Sequence, residues 1–353
     1  MDSSPHKTDA AADDNGDKAK GRAWLPIAGF VFGIAVLVFI VYFVGLETIY
    51  EPLAKMGWGF FLIVALNGVR HYLRAICMYL AVPQAERSFS IRDALSARLA
   101  GETINTIAFT GLGDAAKAAM LNRKIASEHS ATAVIVDEII YYITSLILIL
   151  AGAIVVLYAY GTGLALNLIL FGLIFLGVVI LLGTWWVVRK DIKPVSWLIK
   201  KSGDRWFIPR SLARKRDEIF EIENNVIQFQ DQRPKAFYIL LGIIIATQIL
   251  SVLEAYWAMQ MLGLTVSMVS AFIIESLTKA VNFVFFLIPG TIGAYEGGNS
   301  LILQSLGFTA GAGVALALVR RGGILFWTLL GGIILLWRGA KTSVEQLAES
   351  EGE

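Results

Sequence analysis

The chain has 353 residues, of which 56% are apolar and 16% charged, and its formal net charge is +2. Its mean hydropathy of +0.66 exceeds that of a soluble globule and indicates a membrane protein. The small net charge excludes a nucleic-acid partner, and one cysteine with three scattered histidines excludes an intrachain disulfide and a convincing metal centre. We therefore expect neither a cofactor nor a metal.

Six predicted membrane spans follow an N-terminal tail. Residues 1–22 mix five Asp with four Lys or Arg and contain no apolar run, so they are expected to be disordered. Each span is long enough, at about 1.5 Å per residue, to cross a hydrocarbon core of about 30 Å. The spans are Trp24–Leu46, Gly57–Val82, Ala131–Tyr158, Leu164–Val188, Ala236–Leu262 and Gly311–Trp337. Residues 339–353 are expected to form a cytoplasmic tail.

Two further apolar segments are interrupted by glycine, which permits backbone angles that are closed to other residues. They are Ser90–Arg123, with a break at Gly111-Leu-Gly113, and Ser270–Leu306, with a break at Pro289-Gly290-Thr-Ile-Gly293. Each segment predicts a re-entrant hairpin, which enters the membrane and returns to its own side. The alternative for the second segment is that residues 270–289 cross completely, which would place the C-terminus outside.

The charge of the connections predicts the orientation of the spans. Residues 189–235 contain twelve Lys or Arg and the N-terminal tail contains four, whereas 159–163 and 263–269 contain none. Because basic connections stay on the cytoplasmic side, both termini are expected in the cytoplasm. Within the basic connection, Arg205–Phe229 has the pattern of an amphipathic helix that lies on the anionic leaflet.

The hydropathy pattern of the first half of the chain recurs in the second half at one constant offset. The break at Gly113 corresponds to Gly293, and at the same offset the span at 57–82 corresponds to the span at 236–262. Because equivalent spans run in opposite directions, the pattern predicts an inverted-topology repeat. The predicted fold is an all-α polytopic membrane protein. Its first repeat covers 23–158 with the hairpin 90–123, and its second covers 159–338 with the loop 189–235 and the hairpin 270–306.

Many ionisable side chains fall inside these spans and hairpins. Each costs roughly 2.5–3.5 kcal/mol at the centre of an isolated helix, so they are expected to pair or to line an aqueous cavity. Arg74 and Glu254 are equivalent at the repeat offset and can form an ion pair between the repeats, with a structural or a functional role. The acidic candidates for ion pairs or for proton coupling are Glu102, Asp114, Asp137, Glu138, Glu254, Glu275 and Glu296.

The centre of the membrane is predicted to attract an anion. After each break a helix starts inside the membrane and directs unpaired N–H groups and the positive end of its dipole inward. Asp114 is a natural N-cap, so simple capping is the alternative explanation, and the two asparagines below can equally bond exposed backbone at the breaks. The residues expected to bind substrate are Arg74, Asn105, Gly111, Gly113, Lys117, Lys279, Asn282, Gly290, Gly293, Arg320 and Arg321.

Two motifs resemble those of a known family. The motifs are Ala97–Asn105 with Gly111-Leu-Gly113-Asp114-Ala-Ala-Lys117 and Leu121-Asn-Arg123, and Pro289-Gly290-Thr-Ile-Gly293-Ala-Tyr-Glu296-Gly297 with Leu306-Gly307 and Arg320. Over about residues 30–340, the chain resembles the lysylphosphatidylglycerol synthase transmembrane family, the flippase-like membrane portion of the multiple peptide resistance factor. It also resembles stand-alone members associated with hopanoid biosynthesis. The family usually has proline where this chain has Phe109-Thr110, and commonly arginine where this chain has Lys117.

The resemblance implies lipid translocation in a bacterial inner (plasma) membrane, without synthase activity. The expected partners are membrane lipids, either an anionic phospholipid or an isoprenoid lipid, together with a second copy of the chain or a lipid-synthesis enzyme. Because the chain contains no P-loop, a lipid gradient or protons would drive transport unless a partner supplies ATP. The alternatives are an intramembrane lipid-headgroup transferase, with Asp137, Glu138 or His71 as base, and a non-transporting accessory protein of a lipid-synthesis pathway.

Overall fold

A computed structural model describes residues 54, 56–107, 111–159, 163–202, 216–286, 291 and 293–350, without the side chains of 165 and 338–350. Every regular element in these ranges is helical, as predicted. In chain order the elements are α1 (Gly59–Ala81), a 3₁₀ turn (Gln84–Glu86), α2 (Ile91–Ile107), α3 (Leu112–Asn122), α4 (Ser127–Ala159), α5 (Leu164–Arg189), α6 (Pro194–Ser202), α7 (Arg216–Ile227), α8 (Phe229–Gln232), α9 (Pro234–Met261), α10 (Met268–Val284), α11 (Ala294–Ser305) and α12 (Ala310–Ser350). The predicted tail 1–22 and the predicted span Trp24–Leu46 lie outside the described residues.

Five helices are long and apolar enough to cross a membrane. They are Gly59–Ala81, Ser127–Ala159, Leu166–Arg189, Pro234–Met261 and the Ala310–Trp337 part of α12. These ranges correspond to five of the six predicted spans. Helix α5 packs along α4 and exposes most of its apolar side chains, as expected for a helix that faces lipid.

The two glycine-rich breaks each separate two helices that are shorter than the five long apolar helices. Helices α2 and α10 have 17 residues each, and α3 and α11 have 11 and 12, whereas a span needs about 20. Gly111 and Gly293 directly precede α3 and α11 with φ angles of +104° and +78°. The predicted role of Gly113 in the backbone break is wrong, because Gly113 is the second residue of α3.

Gly113 is instead required by the close packing of α2 on α3. A Cβ atom at Gly113 would overlap the carbonyl oxygen of Gly101 and lie 2.5 Å from Cγ of Asn105. A Cβ atom at Gly101 would lie 2.6 Å from the carbonyl oxygen of Gly113. The two glycines therefore allow the helix backbones to touch, which places the polar side chains of both helices close to the break.

Two hydrophobic clusters lie at opposite ends of α1. The first joins the end of α1, the first half of α2, the end of α3 and the starts of α4 and α9. The second joins the start of α1, the end of α9, the first half of α10, the end of α11 and the start of α12. Each cluster thus gathers both ends of one helix–break–helix segment, α2–α3 or α10–α11, at one end of α1.

The helices of the basic connection pack on the protein. The predicted amphipathic helix Arg205–Phe229 is described only from residue 216. The Ser127 hydroxyl at the start of α4 donates to Glu218 of α7 at 2.5 Å, and Phe229 is buried in the first hydrophobic cluster. This part of the segment packs against α4 at the end of the helix bundle, and its predicted position on the anionic leaflet stays a prediction.

Two arginines cap the C-terminus of α1, where carbonyl groups have no partner within the helix. Arg233 donates to the carbonyl oxygen of Leu80 at 3.0 Å and also to that of Ala81. Arg87 donates to the carbonyl oxygen of Val82 at 2.9 Å. The cationic groups also suit the negative end of the helix dipole.

The start of α2 is fixed by a reciprocal cap. Asp93 accepts a hydrogen bond from the Ser90 backbone N–H at 2.9 Å, and its own N–H donates to the Ser90 hydroxyl at 3.3 Å. Lys124, just after α3, donates to the same carboxylate at 2.9 Å. Partial burial raises the pKa of Asp93, but the hydrogen bonds from Lys124 and Ser90 outweigh it and lower the pKa to about 2. The contact also joins the start of α2 to the end of α3.

Candidate functional site

A cavity of about 770 Å³ lies where the two helix–break–helix segments meet, lined by α1–α4 and α9–α12. Its volume is within the range of sites that bind small molecules. One part of the wall is apolar, with Leu146, Ile149, Phe283, Phe286 and Ile324. The rest is polar and strongly charged, so the cavity suits a molecule that has both a polar and an apolar part.

The charged side chains form two clusters, of which the first involves α1–α4. Its members are Arg74, Arg98, Lys117, Glu102, Asp114, Asp137 and Glu138. Arg74 lies 2.6 Å from Asp137 and 3.0 Å from Glu138. Lys117 is fully buried, and its ammonium lies 2.8–3.0 Å from carboxylates of α2, α3 and α4. These contacts saturate Lys117, which does not line the cavity.

The second cluster joins α1 to α9–α12. Its members are Arg70, Lys279, Arg320, Arg321, Glu254, Glu275 and Glu296. Arg320 is its centre, at 3.1 Å from Glu254 and 2.7 Å from Glu275. Lys279 lies 3.2 Å from the other oxygen of Glu275, and Arg70 lies 3.0 Å from Glu254. Arg321 and Glu296 are 2.7 Å apart.

The two clusters differ in charge. Counted over the residues that the structure describes, the first has three basic and four acidic side chains and a formal charge of −1. The second, counted in the same way, has four basic and three acidic side chains and a formal charge of +1. Removing these groups from water is costly unless each is paired, which explains the density of contacts. The excess positive charge therefore belongs to the second cluster.

Arg320 provides a buried donor that lacks a protein partner. The side chain is 6% exposed and lines the cavity. Within the described part of the chain, its Nη1 atom has no hydrogen-bond partner, although Nε and Nη2 face Glu254 and Glu275. A buried donor without an acceptor costs about 1–3 kcal/mol, so a ligand acceptor at this position would be favourable.

The helix starts beside the breaks are already capped by side chains. Asn105 accepts hydrogen bonds from the backbone N–H groups of Gly111 and Gly113 at 3.1 and 2.8 Å, which agrees with one of its two predicted roles. Glu296 accepts from the Gly293 N–H at 2.8 Å. The expectation that Asp114 caps the first start is wrong, because Asp114 is the third residue of α3. These N–H groups are therefore not free to bind an anion.

The structure brings most predicted site residues to one cavity. Those that line it are Arg74, Asn105, Gly111, Lys279, Asn282, Arg320, Arg321, Glu102, Asp114, Glu138 and Glu275. Those outside its lining are Gly113, Lys117, Gly293, Asp137, Glu254 and Glu296. Gly290 lies outside the described residues.

The predicted pair of Arg74 with Glu254 is wrong. Arg74 faces Asp137 and Glu138, whereas Glu254 faces Arg70 and Arg320. Arg74 thus joins α1 to α4, and Glu254 joins α9 to α12, the equivalent pair of helices in the second half, with the positions of acid and base exchanged. Glu254 also joins α9 to α1 through Arg70.

Sequence reasoning did not include Arg70, Arg98 or Tyr141 in the substrate site. Arg70 lies one turn before Arg74 on α1, and both line the cavity. Tyr141 lies one turn after Asp137 on α4, with its ring under the Arg74 guanidinium at 4.1 Å. The helical spacing of three to four residues from a predicted site residue is the signal that could have identified them.

A family model described as "Lysylphosphatidylglycerol synthase TM region" matches residues 27–332. No curated protein and no solved structure shows a significant match. The match, together with the five apolar helices, identifies a multi-pass membrane protein related to lipid metabolism or transport.

Proposed function

The chain belongs to the lysylphosphatidylglycerol synthase transmembrane family, and we propose that it is a flippase-like transporter that moves a polar or anionic lipid between membrane leaflets. The observation that carries the proposal is the cavity of about 770 Å³, in whose charged wall the Nη1 donor of Arg320 has no partner within the described ranges. The apolar wall suits the part of a lipid that adjoins its headgroup. The hopanoid association remains a resemblance of the sequence.

The proposed topology has six spans, two re-entrant hairpins and both termini in the cytoplasm of a bacterial cell. The contacts at the ends of α2–α3 support a segment that returns to its own side. Ser88, before α2, donates to the carbonyl oxygen of Lys124, after α3, and Lys124 contacts Asp93. Both ends meet the end of α1 in the first hydrophobic cluster, and Arg233 of the basic connection caps that same end of α1.

The packing also supports an inverted repeat. In the first hydrophobic cluster, the end of α1 meets both ends of α2–α3 and the start of α4. In the second, the end of α9 meets both ends of α10–α11 and the start of α12, at the other end of α1. The equivalent helices are related by the repeat offset of the sequence, which is the arrangement that many transporters use to alternate access.

The second charged cluster is the proposed headgroup site. It carries the excess positive charge, and its Arg320 Nη1 donor has no partner among the described residues. Lys279 and Arg321 also lie in the cavity wall. The other donors expected from the sequence, Lys117, Arg74 and the helix N-termini, are occupied by protein acceptors. An anionic phosphate bound at the second cluster would balance its charge.

Partly exposed carboxylates are the proposed proton carriers, if protons drive the transport. Glu102, Asp114 and Glu138 line the cavity with 31%, 23% and 13% of their side chains exposed. Asp137 is almost fully buried between Arg74 and Arg98, so it is a structural ion-pair partner in this proposal.

Reconstitution tests the proposed function. Purified protein in liposomes of phosphatidylcholine with a trace of fluorescent phosphatidylglycerol should accelerate the appearance of the labelled lipid in the opposite leaflet. Lys279→Met should reduce the rate about tenfold, since it removes a cavity cation while Glu275 keeps Arg320 as partner. Lys200→Met, in the basic connection, is the control and should transport at the wild-type rate.

Two results would reject transport, and two others would reject the proposed headgroup site or the topology. Chemical conversion of the lipid would indicate the transferase, and neither conversion nor translocation would indicate the accessory protein. Equal rates for wild type and Lys279→Met would remove the second cluster from the pathway. A C-terminal reporter that is exposed outside the cytoplasm would reject the six-span topology.

A further inference from the structure

Tyr141 lies at the junction of the two charged clusters. Its ring contacts the Arg74 guanidinium of the first cluster at 4.1 Å, and its hydroxyl accepts a hydrogen bond from Lys279 of the second cluster at 3.3 Å. Because Arg74 is itself fixed by Asp137 at 2.6 Å, the ring is held on one face and the hydroxyl has a defined position in the cavity wall.

The Tyr141 hydroxyl retains a donor. A tyrosine hydroxyl can donate one hydrogen bond as well as accept. It accepts from Lys279 and, among the residues that the structure describes, donates to no protein group. The neighbouring cations, Arg74 and Lys279, favour a negatively charged acceptor at this position.

Lys279 also retains a donor. Its ammonium has three N–H groups, and its contacts within the described ranges are Glu275 at 3.2 Å and Tyr141 at 3.3 Å. Glu275 holds Lys279 on one oxygen and Arg320 on the other. Lys279 therefore adjoins Tyr141 directly and Arg320 through the shared Glu275, and all three side chains line the cavity.

We infer that the Tyr141 hydroxyl and the Lys279 ammonium together bind one oxygen of a phosphate ester, and that Arg320 Nη1 is available to a second oxygen. This inference rests on the proposed function, for which it supplies the recognition of the headgroup. A phosphate diester has two non-bridging oxygens that accept hydrogen bonds, which matches donors placed on one wall. Tyr141 is then a binding residue that contacts the phosphate and no other part of the lipid.

The test is a binding titration on the full-length purified protein in dodecyl maltoside. Dioleoyl phosphatidylglycerol is the phosphate-bearing probe, and dioleoylglycerol, which lacks phosphate, is the matched neutral probe. Tyr141→Phe keeps the ring under Arg74 and removes only the hydroxyl, so phosphatidylglycerol should bind about tenfold more weakly while dioleoylglycerol is unchanged. Tyr238→Phe, on the exposed face of α9, is the control and should match wild type for both probes.

A double-mutant cycle tests the shared oxygen. If Tyr141 and Lys279 bind the same oxygen, Tyr141→Phe with Lys279→Met should weaken binding less than the product of the two single effects. Should Tyr141→Phe fail to fold, Lys279→Gln in the same titration should still lose phosphatidylglycerol and keep dioleoylglycerol. Unchanged affinity in Tyr141→Phe, equal loss for both probes, or multiplicative effects in the cycle would overturn the inference.

The outcome is separable from that of the proposed function. Glycerol 3-phosphate is added as a soluble competitor: if it displaces the lipid only in large excess, the headgroup is the ligand. If it binds as tightly as the lipid, and in a Tyr141-dependent manner, phosphate recognition stands and lipid transport falls. Translocation that is independent of Tyr141 leaves transport standing and rejects the binding role.

Discussion

Replacing Gly113 by alanine tests the central feature of the first helix–break–helix segment, the contact between the α2 and α3 backbones. In an unobstructed helix, alanine is more stable than glycine by about 0.5–1 kcal/mol. At Gly113, the new Cβ would overlap the carbonyl oxygen of Gly101 and lie 2.5 Å from Asn105 Cγ. The obstruction is backbone on one side, so a side-chain rotation cannot relieve it.

The magnitude follows from two losses. Overpacking costs about 1–3 kcal/mol, and displacing Asn105 removes its 2.8 Å hydrogen bond to the Gly113 N–H, which as a helix cap is worth about 1 kcal/mol. After the gain in helix propensity is subtracted, Gly113→Ala should lower the free energy of unfolding by about 1–3.5 kcal/mol.

Equilibrium unfolding of the purified protein, in dodecyl maltoside with increasing sodium dodecyl sulfate, measures the effect. Gly172→Ala is the matched control, because its Cβ in α5 would meet nothing within 4 Å and should be neutral or slightly stabilising. At Gly111 an added Cβ would also meet nothing within 4 Å, but φ is +104°. Gly111→Ala should therefore lower the free energy of unfolding by about 1–2 kcal/mol through backbone strain alone. If Gly113→Ala is as stable as Gly172→Ala, the described contact of α2 with α3 is wrong.

Three further substitutions test the ion pairs and caps. Arg320→Met should lower the free energy of unfolding by about 3–5 kcal/mol, because the buried carboxylates of Glu254 and Glu275 lose a partner. Adding Glu275→Gln removes one of these two charges and should restore part of the lost stability. Arg233→Ala should cost about 2 kcal/mol in the same assay, since it leaves the last carbonyl groups of α1 without their donors. Asp93→Asn should cost about 1 kcal/mol at pH 7. Because the pKa of Asp93 is lowered to about 2 in the folded protein, against about 3.9 when unfolded, its contribution is present above about pH 4 and is lost as the pH falls towards 2.

The controls for these substitutions are exposed residues of the same type. Arg92→Ala and Asp231→Asn, both at exposed helix positions, should change the free energy of unfolding by less than about 0.5 kcal/mol. If Arg92→Ala destabilises the protein as much as Arg233→Ala does, the Arg233 effect is not specific to the α1 terminus. If the free energies of unfolding of Asp93→Asn and wild type differ by the same amount from pH 7 to pH 2, the ion-pair explanation is contradicted.

The amino-acid sequence by itself determined the helices and the membrane class. Uninterrupted apolar stretches that are long enough to cross a bilayer have few alternatives to a membrane helix, since every backbone polar group must be satisfied internally. The glycines of the breaks likewise act through local backbone angles, since Gly111 and Gly293 have positive φ directly before α3 and α11. The family motifs are also local, and the matched range of 27–332 agrees with them.

Only the tertiary structure decided which charges pair. The repeat offset placed Arg74 opposite Glu254, but an ion pair depends on side chains that come into direct contact, and helix rotation brings Arg74 to Asp137 instead. The same holds for Lys117, which looked available in the sequence and is surrounded by carboxylates of three helices. A repeat in the sequence fixes the order and length of helices, whereas partners within a cavity depend on the rotation and distance of helices that are far apart in the chain.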